Sequence, residues 1–145
     1  MANLETLRRM GMVTAMRALV GQPFRHQGAT TGFDCSEAIQ AAAQLACVPL
    51  APMTRQDYCL ANLNAATVLS WAHKWGRERP TGEKCRHGDL ILIWLLNPGE
   101  PLHAGIFADD TDSILHARPR RGVAEDSFAK WRLRLSHVFT FHGYE

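Results

Sequence analysis

Apolar residues recur at helical spacing along the first stretch of the chain. Leu4, Leu7, Met10, Ala15, Leu19 and Val20 fall mostly on one face, which predicts a helix over 4–20. Asn3 is placed to cap it, Gly21 to stop it, and Pro23 lies just beyond. A loop rich in Gly and Thr follows over 22–33. A second helix is expected from Cys35 to about Cys47, with Ile39, Ala42, Ala43 and Ala46 on its buried face. Asp34 and Glu37 have the D-x-x-E spacing of a capping box, which marks where this helix starts. A third helix is expected over Leu63–Trp75, with Leu69 and Ala72 inward.

From Gly88 the period changes. Leu90–Leu96 is a continuous apolar run between Gly88-Asp89 and Asn97-Pro98-Gly99, the pattern of a buried strand. Leu102–Ala108 and Ser113–Ala117 read as two more strands, joined by a turn over Asp109–Asp112. A short helical turn is expected over 126–134 and a last strand over Val138–Phe141. Helices come first and adjacent strands follow. The class is therefore α+β, with N-terminal helices packed on a central antiparallel β-sheet, in a single domain over 1–145.

Composition narrows the function classes. At 145 residues the chain is long enough to bury a core without staples. A net charge of +2 calls for no nucleic-acid partner, and no stretch approaches the length that spans a membrane. The N-terminus has Arg8-Arg9 before apolar residues, but Arg17 interrupts the run and no small-residue cleavage site follows. The expectation is a protein made in the cytoplasm without a signal peptide. The four cysteines form no C-x-x-C pair, which argues against a zinc ribbon or a redox dithiol. Cys85-x-His87 has no second pair at ligand spacing, so no metal is expected.

Cys35 has the most distinctive setting. It opens the second helix, where four free N–H groups and the positive end of the helix dipole lie. Both favour thiolate, the nucleophilic form, and the same N–H groups can hold an oxyanion. The alternative is a cysteine packed as a small hydrophobe. Cys47, Cys59 and Cys85 lack this setting.

A nucleophilic thiol needs a base within reach. If Asp109–Asp112 is a four-residue hairpin loop, Ala108 pairs with Ser113 and His103 falls opposite Arg118. His116 shares the parity of Arg118, so His103 and His116 face the same side as diagonal neighbours. A register change of one residue would separate them. In this arrangement His103 takes the thiol proton and His116 orients its ring. The alternative is two ordinary sheet histidines.

The segment GQPFRHQGATTGFDCSEAI resembles the nucleophile segment of the NlpC-type cell-wall peptidases. HGDLILIWLLNPGEPLHAGIFADDTDSILHA resembles that family's second block, a G-D-L strand followed by H-x-G-I and a strand ending I-H-A. The tail RRGVAEDSFAKWRLRLSHVFTFHG is similar to the end of the small members encoded with phage tail genes and gene transfer agents. The resemblance implies a papain-like fold and a Cys-His-His triad of Cys35, His103 and His116. It implies no metal or organic cofactor, and Phe24, Asp34, Ser36 and Arg118 are the candidate substrate-binding residues. It also implies hydrolysis of amides in peptidoglycan stem peptides, often between D-glutamate and diaminopimelate, and phage tail-tip proteins as partners. The sequence departs from the family at Phe24, where a tyrosine is usual. It departs again at Gln27 and Glu37, where glycines are usual.

Arg118, Arg120, Arg121, Lys130, Arg132 and Arg134 form a basic cluster near Glu125 and Asp126. One reading is a patch that attracts stem-peptide carboxylates, with Arg118 the best placed. The other is a solvated face. Two rival functions share the fold: a tail-assembly protein with little chemistry, and a thiol amidase acting on a non-wall substrate.

Overall fold

A computed structural model describes residues 3–24, 34–51, 65–80, 82–94 and 102–145. Gln27, His26, Cys59 and the turn at 97–99 lie outside the described residues, as do the last residues of the expected strand 90–96. The described helices are α1 (Leu4–Ala18), α2 (Cys35–Leu45) and α3 (Ala65–Trp75). The strands are β1 (Gly76–Glu78), β2 (Leu90–Trp94), β3 (Leu102–Ala108), β4 (Ser113–Arg118), β5 (Gly122–Ser127) and β6 (Leu135–Phe141). They form one antiparallel sheet in the order β1-β6-β2-β3-β4-β5. The fold class is α+β, as expected.

The apolar run of β2 is explained by cover on both faces. Leu90 and Leu92 join the helix-side core with Ile39, Ala42 and Phe139. Ile91 and Ile93 join a second core with Phe107, Ile114, Phe128 and Trp131. These four β2 side chains are 0–1% exposed. Each contributes roughly 1.5–3 kcal/mol of burial.

Helix α1 turns a different face inward from the one its apolar spacing predicts. Arg9, Met12, Val13 and Met16 are buried, while Leu4, Leu7 and Met10 are each more than half exposed. The cause is an ion cluster. Arg9 donates to Asp89 at 2.7 Å and to the carbonyl of His87 at 3.0 Å, and Arg79 donates to the other Asp89 oxygen. The Arg86 amide adds a third donor to Asp89. Asp89 is fully buried and fixes how α1 is rolled on the sheet. Its neighbour Gly88 adopts φ +83°, and a side chain there would run into Tyr144 and Arg9.

Two strands escape the sequence pattern. β1 is only three residues long on the sheet edge. β5 occupies 122–127, so the helical turn expected over 126–134 is shortened to two 3-10 turns, Phe128–Lys130 and Arg132–Arg134. Gly122 of β5 has φ +74°, and a Cβ there would lie 2.1 Å from the Gln22 carbonyl oxygen. That close approach lets Gly21 and Gln22 bond to Val123, which carries the chain from α1 onto the outer strand.

Removing Asp89 takes from Arg9 and Arg79 the one buried carboxylate they share and leaves them only Glu5 and Glu83 nearer the surface. Asp89→Ala is expected to lose about 3–5 kcal/mol of stability, measured by urea denaturation. A loss below 1 kcal/mol would contradict this account of the cluster.

Candidate active site

The β3–β4 hairpin has the expected register. Ala108 pairs with Ser113, Phe107 with Ile114 and Ile106 with Leu115, around the loop 109–112. Asp112 takes a positive φ of 47° there. The consequence is the contact that the register implies: His103 Nε2 and His116 Nδ1 lie 2.8 Å apart, both rings buried. His103 pairs across strands with Ile93, and the His116 ring meets Trp131 edge-on at 5.7 Å.

A third strand extends the chain of bonds. His116 Nε2 lies 2.8 Å from Asp126 Oδ2 on β5. Arg118 Nη1 donates to the same oxygen at 3.0 Å, and Arg121 Nη1 lies 3.2 Å from Oδ1. Burial opposes ionisation of Asp126, but the bonds from His116 and Arg118 outweigh it and hold the carboxyl below its ordinary value. Burial, and then the neighbouring His103, push the His116 pKa down to about 3, against the pull of Asp126. His116 is thus a neutral ring at any ordinary pH.

Cys35 is the first residue of α2 and is 8% exposed. Asp34 caps this helix: its Oδ1 accepts from the Glu37 amide at 2.8 Å and from Ser36 Oγ at 2.8 Å. Asp34 and Ser36 are therefore buried structural supports of the turn that carries the thiol. Helix α2 packs across β3 and β4. Cys35 belongs to the helix-side core, with Leu102, Ala104 and Ala117, the chain neighbours of the two histidines. Phe24 is half-buried against the helix-side core. Arg118 is bonded to Asp126, lies 5.2 Å over the Trp131 ring and keeps its side chain 30% exposed.

The structure thus brings together His103, His116 and Arg118 from the sequence reading, and adds Asp126. Sequence reasoning passed over Asp126 as a counter-charge to the basic cluster. The usable signal was an acidic residue ten positions after His116, across a Pro-Arg-Arg-Gly turn. No group of His, Cys, Asp and Glu among the described residues is arranged to hold a metal ion.

The pattern of the NlpC/P60 family matches residues 21–138, which include Cys35, both histidines and Asp126. The chain belongs to the NlpC/P60 family. Solved structures agree with its fold. The peptidoglycan hydrolase RipB of Mycobacterium tuberculosis superposes with a TM-score of 0.64 at 19% identity, over 94% of this chain and 65% of that one. The P60 domain of an antigen of M. avium paratuberculosis gives 0.63 at 15% identity, over 94% of both chains. An NlpC/P60 protein of Bacillus cereus gives 0.64 at 14%, over 92% of this chain and 40% of that one. This NlpC/P60 chain thus spans about two thirds or less of two of these relatives. No curated protein matches it by sequence.

The suppressed His116 basicity has a consequence for folding. In the unfolded chain His116 gains its proton near its ordinary value of 6.5, but in the fold only near 3. Between these values the unfolded chain holds the extra proton, so acid favours unfolding. The contribution of His116 is fully present above pH 6.5 and is lost as pH falls towards 3. The slope from this one group is at most about 1.4 kcal/mol per pH unit. Urea denaturation between neutral and mildly acid pH is expected to show it, and His116→Gln to flatten it. An unchanged slope in His116→Gln would contradict the assignment.

Proposed function

We propose that this protein is a cysteine peptidase that hydrolyses amide bonds in peptidoglycan stem peptides, of the D-glutamate–diaminopimelate type. The observation that carries the proposal is the hydrogen-bond chain from His103 to His116. With Nε2 of His103 engaged, its Nδ1 is the nitrogen left to act as a base. Family membership supports the reading, as does the fold shared with RipB, a peptidoglycan hydrolase. Similarity of the tail to phage-encoded members favours a role at a tail tip.

The chemistry follows from the residues. His103 Nδ1 takes the proton of Cys35, and the thiolate is favoured by the N-terminus of α2. Sγ attacks the amide carbonyl carbon, and the oxyanion is met by the positive end of the α2 dipole. The C–N bond breaks as His103 returns its proton to the leaving amine, which leaves a thioester on Cys35. Water, deprotonated by His103, then attacks the thioester and releases a carboxylate and the free thiol. Arg118, partly exposed beside the histidines, is suited to a stem-peptide carboxylate. Phe24 borders the same site in this reading.

Purified sacculi digested with the wild-type protein are expected to release new peptide fragments, resolved by mass spectrometry. Cys35→Ala is expected to release none, and His103→Ala at least about 100-fold fewer, with both variants folded. Equal release by either variant would refute the proposal.

A further inference from the structure

We propose that Asp126 is a positioning residue, which fixes the ring tautomers of both histidines and so keeps the lone pair of His103 on Nδ1. The inference rests on the peptidase reading for its use, but on hydrogen-bond geometry for its content.

An ionised carboxylate only accepts hydrogen bonds. The 2.8 Å contact with Asp126 Oδ2 therefore requires the hydrogen of His116 to sit on Nε2. A neutral ring carries one such hydrogen, so His116 Nδ1 holds a lone pair. The 2.8 Å contact with His103 Nε2 is then a bond only if His103 donates it. Neutral His103 consequently has its lone pair on Nδ1. The reverse order would set two acceptors against each other at the carboxylate. When His103 takes up a proton it still donates from Nε2, so the chain needs no rearrangement during turnover. His116 does not compete for that proton, because burial keeps it neutral.

Arg118 fixes the sense of this device. Its Nη1 donates to the same Asp126 oxygen that faces His116. That oxygen position accepts two donors, and a donor placed there would oppose the guanidinium. Trp131 covers the ring of His116 and lies under Arg118, so the three groups are packed as one unit.

The test uses the full chain labelled with 15N-histidine. In the wild type, ring 15N shifts are expected to show protonated Nε2 and unprotonated Nδ1 in both His103 and His116. The opposite tautomer of His116 would overturn the proposal without any variant. In Asp126→Ala the His116 tautomer is expected to become mixed. Alkylation of Cys35 by iodoacetamide at neutral pH is expected to slow at least about tenfold. In Asp126→Asn, Arg118 selects the amide oxygen for the position facing His116. The tautomers are therefore expected to return, with part of the lost rate. A folded Asp126→Ala protein with wild-type tautomers and rate would overturn the proposal, as would loss of the tautomers in Asp126→Asn. Failure of the wild type to cut sacculi would count against the peptidase reading alone, because the ring tautomers answer separately for Asp126.

Discussion

The hydrogen bond between His103 and His116 depends on the length of one loop. Four residues, 109–112, turn β3 into β4 and set Ala108 against Ser113. That register puts both histidines on one face and within 2.8 Å of each other. A loop one residue longer or shorter would reverse the parity of β4 and move His116 to the face opposite His103. The β4–β5 pairing then brings Asp126 diagonally to His116, since His116 pairs with Ala124 and Ile114 with Asp126. Three antiparallel strands in fixed register thus align one chain of proton donors and acceptors. Sheet geometry supplies the order that a catalytic base requires.

The start of α2 and the sheet divide the labour. Helix α2 is capped by Asp34 and begins with Cys35, at the end where the helix dipole favours an anion. Strands β3 and β4 hold the imidazole chain under Trp131. Electrostatics differ accordingly. Glu37 sits one turn into α2 and is half-buried, a negative group near a thiolate and opposed to its ionisation. Opposing it is the positive end of the α2 dipole. The basic groups at 118 and 121 are partly spent on Asp126, which holds its charge beside a neutral His116. The basic cluster is therefore part scaffold and part surface, with Arg118 in both roles.

Much of this was legible in the sequence because it is local. The cap at Asp34 follows from the D-x-x-E spacing, and the β3–β4 register from a short polar turn between apolar runs. What escaped depends on partners far away in the chain. Arg9 is buried because Asp89, eighty residues on, accepts from it. No amphipathic count can foresee that, and the spacing of Leu4, Leu7 and Met10 points to a face of α1 that is exposed. β5 reads GVAEDS, with too few apolar residues to announce a strand. Its Glu125 is satisfied by Arg17 from α1 and its Asp126 by His116. An ion pair to a distant helix thus hid the strand, and a hydrogen bond across the next hairpin hid the last member of the site.

The central claim is that one thiol, on Cys35, performs the hydrolysis. Titrating the protein with iodoacetamide, while following wall cleavage and locating the adduct by peptide mapping, tests it most directly. The account predicts that cleavage falls in proportion to alkylation of Cys35 and is unaffected by alkylation of exposed Cys47. Cleavage that persists with Cys35 fully alkylated would contradict it.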